Sequence, residues 1–149
     1  MLLKQEDPGY RSMSGPGISV AGPDLARFTN SFQGEITRPG DADYEVRRHV
    51  KNVVHDRHPE IIVAPVDADD VAMAVSFAAA MALPIAVRGG GHGSPGFGTV
   101  DDGMVIDLSS MHAISIDPIA RIGRAEGGTK AGDYTLAAMA HGLDYPVRR

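Results

Sequence analysis

The stretch Pro84-Ile85-Ala86-Val87-Arg88-Gly89-Gly90-Gly91-His92-Gly93-Ser94-Pro95-Gly96-Phe97-Gly98 decides how the rest of the chain is read. It opens as a short apolar strand, Ile85-Ala86-Val87, and changes abruptly into a loop of glycines. Three glycines in succession leave the backbone without Cβ atoms, so successive N–H groups can turn to one side at low steric cost. Such a run makes an anion cradle suited to phosphate. His92 follows directly, still inside the glycine run, where a phosphate-bearing cofactor would lie. The other reading is a glycine-rich surface loop with a solvated histidine, and these residues alone leave both open.

Working outward, Ile61-Ile62-Val63-Ala64 is a second apolar run, bounded by prolines, which suits a buried strand better than a helix. Between the two strands Asp67 caps a helix with Asp70 at its third position. Val71, Ala74, Val75, Ala78, Met81 and Ala82 then repeat at helical spacing. Residues 61–88 therefore predict a strand–helix–strand unit with parallel strands and a right-handed crossover. The glycine loop leaves from its carboxyl end, where open α/β sheets place ligands.

Downstream, residues 104–108, 113–117 and 120–125 read as three short strands, close enough for an antiparallel run. Glu126-Gly127-Gly128 turns into a last helix capped by Thr129, carrying Leu136, Met139 and Ala140, with Gly142 at its C′ position. Upstream, Phe28, Phe32 and Ile36, spaced by four, fit a short helix with an extended exit. Asp41 or Asp43 caps a further helix that puts Val46, Val50, Val53 and Val54 on one face and ends at Pro59. Residues 1–27 read as a flexible leader and 28–149 as the folded part, an α+β unit with a mixed sheet flanked by helices.

At 149 residues the chain is one domain or part of one, and its 18 glycines and 10 prolines imply many turns between short elements. A formal charge of −5 without a basic run argues against nucleic acid or an anionic membrane as the main partner. With no cysteine there is no disulfide, thiolate zinc site or thiol nucleophile. Lys4, Glu6 and Asp7 fall where a secretory apolar core should run, and no stretch of about 20 apolar residues occurs, so the expectation is a soluble, cytoplasmic protein.

Competing motifs are weaker. Gly91 to Gly96 satisfies GxGxxG, but a dinucleotide turn of that kind must open a helix, which Pro95, Gly96 and Gly98 forbid. His49, His55 and His58 lack a suitably set carboxylate for a metal and read as solvated side chains. His112 lies in a turn and His141 in the last turn of a helix, and neither asks for chemistry. Asp107 and Asp117 could pair as acid and base, yet aspartate at a strand-to-turn junction is mostly a cap.

Taken together, the residues resemble the FAD-linked oxidases of the vanillyl-alcohol oxidase / p-cresol methylhydroxylase (PCMH) superfamily, in particular the berberine-bridge-enzyme-like branch. The likeness is carried by Phe32-Gln33-Gly34, Arg38-Pro39-Gly40-Asp41, Tyr44, Arg47 and Asn52, then by Val87 to His92 with Gly96. It continues through Gly103, residues 105–108, Met111, Asp117, Gly127-Gly128, Gly132-Asp133 and His141-Gly142-Leu143.

The resemblance implies a PCMH-type FAD-binding subdomain, incomplete because the family continues beyond this point into further glycine loops and a substrate domain. It implies that Arg88, Gly89, Gly90, Gly91, His92 and Gly93, with Gly96, Gly127 and Gly128, bind the cofactor. His92 would be the covalent attachment point at the flavin 8α carbon. A neutral imidazole is a competent nucleophile near pH 7, which agrees with that role. The absence of cysteine leaves single attachment. The family oxidises small organic substrates by hydride transfer to the flavin, usually with O2 as acceptor. The chain then reads either as the FAD-holding part of such an oxidoreductase, complemented by another chain, or as a truncated, non-catalytic fragment with weak or no flavin binding.

Overall fold

Long-range strand pairing decides the architecture. In the computed structural model, which describes residue 20 and residues 22–144, four strands form one sheet: β1 (Glu35–Thr37), β2 (Ile61–Ala64), β3 (Ile85–Arg88) and β4 (Met104–Asp107). Their order is β1-β2-β4-β3, with β1 antiparallel to β2 and the other neighbours parallel. The unit β2–α3–β3, where α3 is Ala68–Ala80, therefore has the parallel strands expected of it. Between them lies β4, with Met104 opposite both Ile61 and Ile85.

This placement corrects the expected three-stranded antiparallel run. Only β5 (Ile114–Asp117) and β6 (Ile122–Ala125) pair that way, as a separate hairpin. The reason is burial: Met104, Val105 and Ile106 are all inaccessible, and a strand apolar on both sides needs cover on both faces. β3 alternates instead, with Ala86 and Arg88 buried and Ile85 and Val87 exposed, which suits an edge.

Period-two alternation divides the core between the two faces of the sheet. On one face Ile61, Val63, Met104 and Ile106 pack with Phe28, Phe32, Ala74, Phe77 and Ala78. Phe28, from α1 (Pro23–Ser31), stacks on Phe77 with ring centroids 4.4 Å apart. On the other face Ile62, Ala86 and Val105 meet Tyr44 and Val100. Burial pushes the Tyr44 hydroxyl above its ordinary pKa, and that hydroxyl donates to the Pro59 carbonyl at 2.8 Å.

Helix α3 is capped as its sequence predicts: Asp67 accepts from the Asp70 amide at 2.9 Å. Asp70, fully buried, reaches across the fold and accepts from the amides of Gln33 and Gly34, 2.9 Å each, and Val66 at 3.1 Å. It fastens the lead into β1 to the start of α3.

Two expectations are overturned. The valine-faced helix shrinks to α2 (Tyr44–Arg48), and Val46, Val53 and Val54 are each 80% exposed while Val50 is buried. Arg48 takes the inward position instead, bonding Glu45, Asp56 and the Arg57 carbonyl, so a buried cation with its partners replaces the apolar stripe. Thr129 does not cap α4 (Ala131–Met139): its hydroxyl is buried without a partner, and Lys130 occupies the N-cap. That helix turns Ala138 inward and leaves Leu136 and Met139 exposed.

Of the range read as a leader, residues 1–19 and 21 lie outside the described residues. Val20 is buried and α1 begins at Pro23.

Candidate functional site

The glycine loop leaves the carboxyl end of β3, as expected, and no helix follows it before β4. Gly91 and Gly96 have φ of +68° and +75°, in the left-handed region that favours glycine. None of the described residues accepts a hydrogen bond from the amides of Gly90, Gly91, His92 or Gly93. A Cβ at Gly93 would meet nothing within 4 Å, so this part of the loop is open. The His92 ring is exposed and folds against its own loop: a Cβ at Gly90 would lie 2.9 Å from its Cδ2.

The loop is held from one side by the segment after α2. The Lys51 amide donates to the Gly91 carbonyl at 3.1 Å, and Asn52 Nδ2 donates to the Ser94 carbonyl at 3.2 Å. His55 Nε2 lies 2.8 Å from the same carbonyl, and its ring fills the space that a Cβ at Gly96 would need. His55, expected to be a solvated side chain, thus props the loop. Asn52 was visible in the family likeness; local periodicity marks neither Lys51 nor His55, because their contacts lie about 40 residues downstream.

Arg88 is buried and its guanidinium points into the protein. It donates to Asp107 from Nε (3.2 Å) and Nη2 (2.6 Å), to the Arg47 carbonyl (2.7 Å) and to the His49 carbonyl (3.3 Å). The other oxygen of Asp107 accepts from the Ser109 amide and caps a 3₁₀ turn, Leu108–Ser110. Asp117 likewise caps a turn, accepting from Ile119 and Ala120. Each of these two aspartates is a local anchor, and the second sits on the separate hairpin.

Of Gly127 and Gly128, expected beside the cofactor, the first lies against the Leu108 side chain and the second against other backbone. A Cβ at Gly128 would collide with the Leu108 carbonyl, and the Gly128 amide donates to Met111 at 2.8 Å. A Cβ at Gly89 would lie 2.6 Å from the Gly127 carbonyl, so the two glycine stretches touch at that point.

Beside the loop opens a cavity of about 330 Å³, lined by the end of α2, by Val50 and Lys51, by Arg88 to Gly91, and by Asp107 and Ser109. Such a volume is at the low end of the range for small-ligand pockets, roughly 300–1,000 Å³, and suits part of a dinucleotide. Arg47, on its wall, pairs with Glu35 and Asp43. Nearby, Asp56 has its carboxyl held below the ordinary value near 3.8 by the hydrogen bond from Arg48. Among the described residues no group of three or more His, Asp or Glu is placed to hold a metal ion, and no helix is long and apolar enough to cross a membrane.

This combination, a parallel strand feeding a glycine loop with open amides beside a cavity, coincides with what comparison finds. Residues 59–148 match the family described as FAD binding domain. The (R)-6-hydroxynicotine oxidase of Paenarthrobacter nicotinovorans is 36% identical over 113 residues, which is 76% of this chain and 25% of that protein. An uncharacterized FAD-linked oxidoreductase of Bacillus subtilis is 31% identical over 114 residues, with the same shares. Among solved structures, 6-hydroxy-D-nicotine oxidase from Arthrobacter nicotinovorans superposes with a TM-score of 0.73 at 36% identity, over 76% of this chain and 25% of that one. A berberine-bridge-enzyme-like protein from Physcomitrella patens gives 0.70 at 25% identity, with the same coverage.

The chain belongs to the FAD-binding domain family of FAD-linked oxidoreductases. Within it, the chain falls in the vanillyl-alcohol oxidase / PCMH superfamily, on the berberine-bridge-enzyme-like branch. It spans about a quarter of the length of the curated relatives it matches.

Proposed function

We propose that the loop from Gly89 to Gly93 holds the diphosphate of FAD through its backbone amides, and that His92 is the point of covalent attachment to the flavin. The observation that carries this reading is the set of four successive amides, Gly90 to Gly93, with no acceptor among the described residues, on a loop with space beside it. Backbone donors of this kind suit an anion, and they are preorganised by the bonds from Lys51, Asn52 and His55. Arg88 serves the site from beneath, fixing the loop's start rather than donating to phosphate. Gly127 and Gly128 serve it by letting the second turn approach Gly89.

When bound, FAD supplies hydride acceptance from a small organic substrate, with O2 as the final acceptor in this reading. In this reading substrate selection and proton transfer fall to a complementing chain. A complementing chain would also cover Leu136, Met139 and Ile122, which are 68%, 62% and 49% exposed. The attachment is tested on acid-precipitated protein: it should stay yellow and carry the mass of one flavin, and His92→Ala should release the colour. A wild-type protein that is colourless at the bare polypeptide mass would favour the non-catalytic fragment.

A further inference from the structure

We propose that the Lys51 ammonium, assisted by the Ser109 hydroxyl, supplies the side-chain part of a diphosphate site whose backbone part is the glycine loop. The proposal rests on the cradle reading above and adds to it the residues that neutralise the anion. The residues lining the cavity include three cations, Arg47, Lys51 and Arg88, and one carboxylate, Asp107, in a chain whose formal charge is −5. Two of those cations are committed elsewhere. Arg47 pairs with Glu35 and Asp43, and Arg88 is buried against Asp107 and two carbonyls. Both oxygens of Asp107 are in turn engaged, one by Arg88 and one by the Ser109 amide. Lys51 forms no ion pair with any described residue.

Its backbone donates to the Gly91 carbonyl at 3.1 Å, which fixes the residue beside the loop, and its side chain is exposed. Ser109 also lines the cavity, its amide tied to Asp107 and its hydroxyl without a partner among the described residues. A doubly charged ligand on an acidic protein gains most from a cation close to it, because attraction from charges farther than about 8–10 Å is screened at physiological salt. Lys51 is the lining cation with that freedom. The ligand chemistry is a diphosphate, whether part of a dinucleotide or free.

The test is calorimetric titration of the full 149-residue chain with sodium pyrophosphate, ADP and orthophosphate at low ionic strength. Pyrophosphate and ADP should bind, Lys51→Ala should weaken both about tenfold, Lys51→Arg should restore binding, and Ser109→Ala should cost roughly twofold. The gap between wild type and Lys51→Ala should narrow in 0.5 M salt as about a 3–5 Å screening length is reached. Because Lys51 is exposed, its variants should keep the wild-type far-ultraviolet circular dichroism. Equal affinity in wild type and Lys51→Ala would overturn the proposal while leaving the cradle intact. A wild-type chain that binds neither pyrophosphate nor ADP would overturn both, and orthophosphate binding tighter than ADP would overturn the diphosphate assignment.

Discussion

The chain has two glycine turns that look alike in sequence, Gly89-Gly90-Gly91 and Gly127-Gly128, and the structure gives them opposite characters. Around Gly90 to Gly93 the amides have no acceptor among the described residues, and Gly93 faces open space. At Gly128 the missing side chain is space already taken by the Leu108 and Met111 carbonyls, and the amide is bonded. One turn is glycine because the backbone lies open beside a cavity; the other is glycine because the backbone has already been approached by its own chain. The difference teaches that the same residue type can be required by space left open in one turn and by close backbone approach in another.

The comparison can be broken most severely at the base of the open turn. Arg88→Met removes the cation beside a largely buried Asp107 and frees two carbonyls, which should destabilise by about 3–5 kcal/mol in a urea unfolding titration. A loss under about 1 kcal/mol would mean that Arg88 does not fasten the loop. Next comes Gly128→Ala, where a methyl group must displace the Leu108 backbone; a cost of about 3 kcal/mol is expected, read from the same titration. The smallest effect sharpens the contrast: Gly93→Ala should leave stability within about 0.5 kcal/mol, since its Cβ meets nothing. The same variant should weaken pyrophosphate binding several-fold if that space belongs to a ligand. Equal stability losses for Gly93→Ala and Gly128→Ala would erase the distinction between the turns.

How much was legible follows from the range of the interactions concerned. The α3 cap is local, Asp67 to Asp70, and reads directly from spacing. The strands around that helix are short apolar runs with prolines at their borders, and both form where expected. The valine pattern after Asp43 was misleading because the helix stops at Arg48, so Val50, Val53 and Val54 lie beyond it and share no helical face. Arg48, pairing with Glu45 and Asp56, takes the interior instead. The glycine loop and His92 stood out at once, whereas Lys51 and His55 became site residues only through contacts that close about 40 residues of chain.

By itself the sequence determined the family, the strand–helix–strand unit, the cap of α3 and the loop that follows β3, because each shows in neighbours a few residues apart. Only the tertiary structure decided that β4 enters between β2 and β3, that Arg88 faces inward, and that the amides of one glycine turn are left without acceptors while Gly128 is bonded to Met111 and lies against Leu108. Those outcomes rest on hydrogen bonds and burial between distant segments, and such pairings are chosen by the free energy of the whole fold.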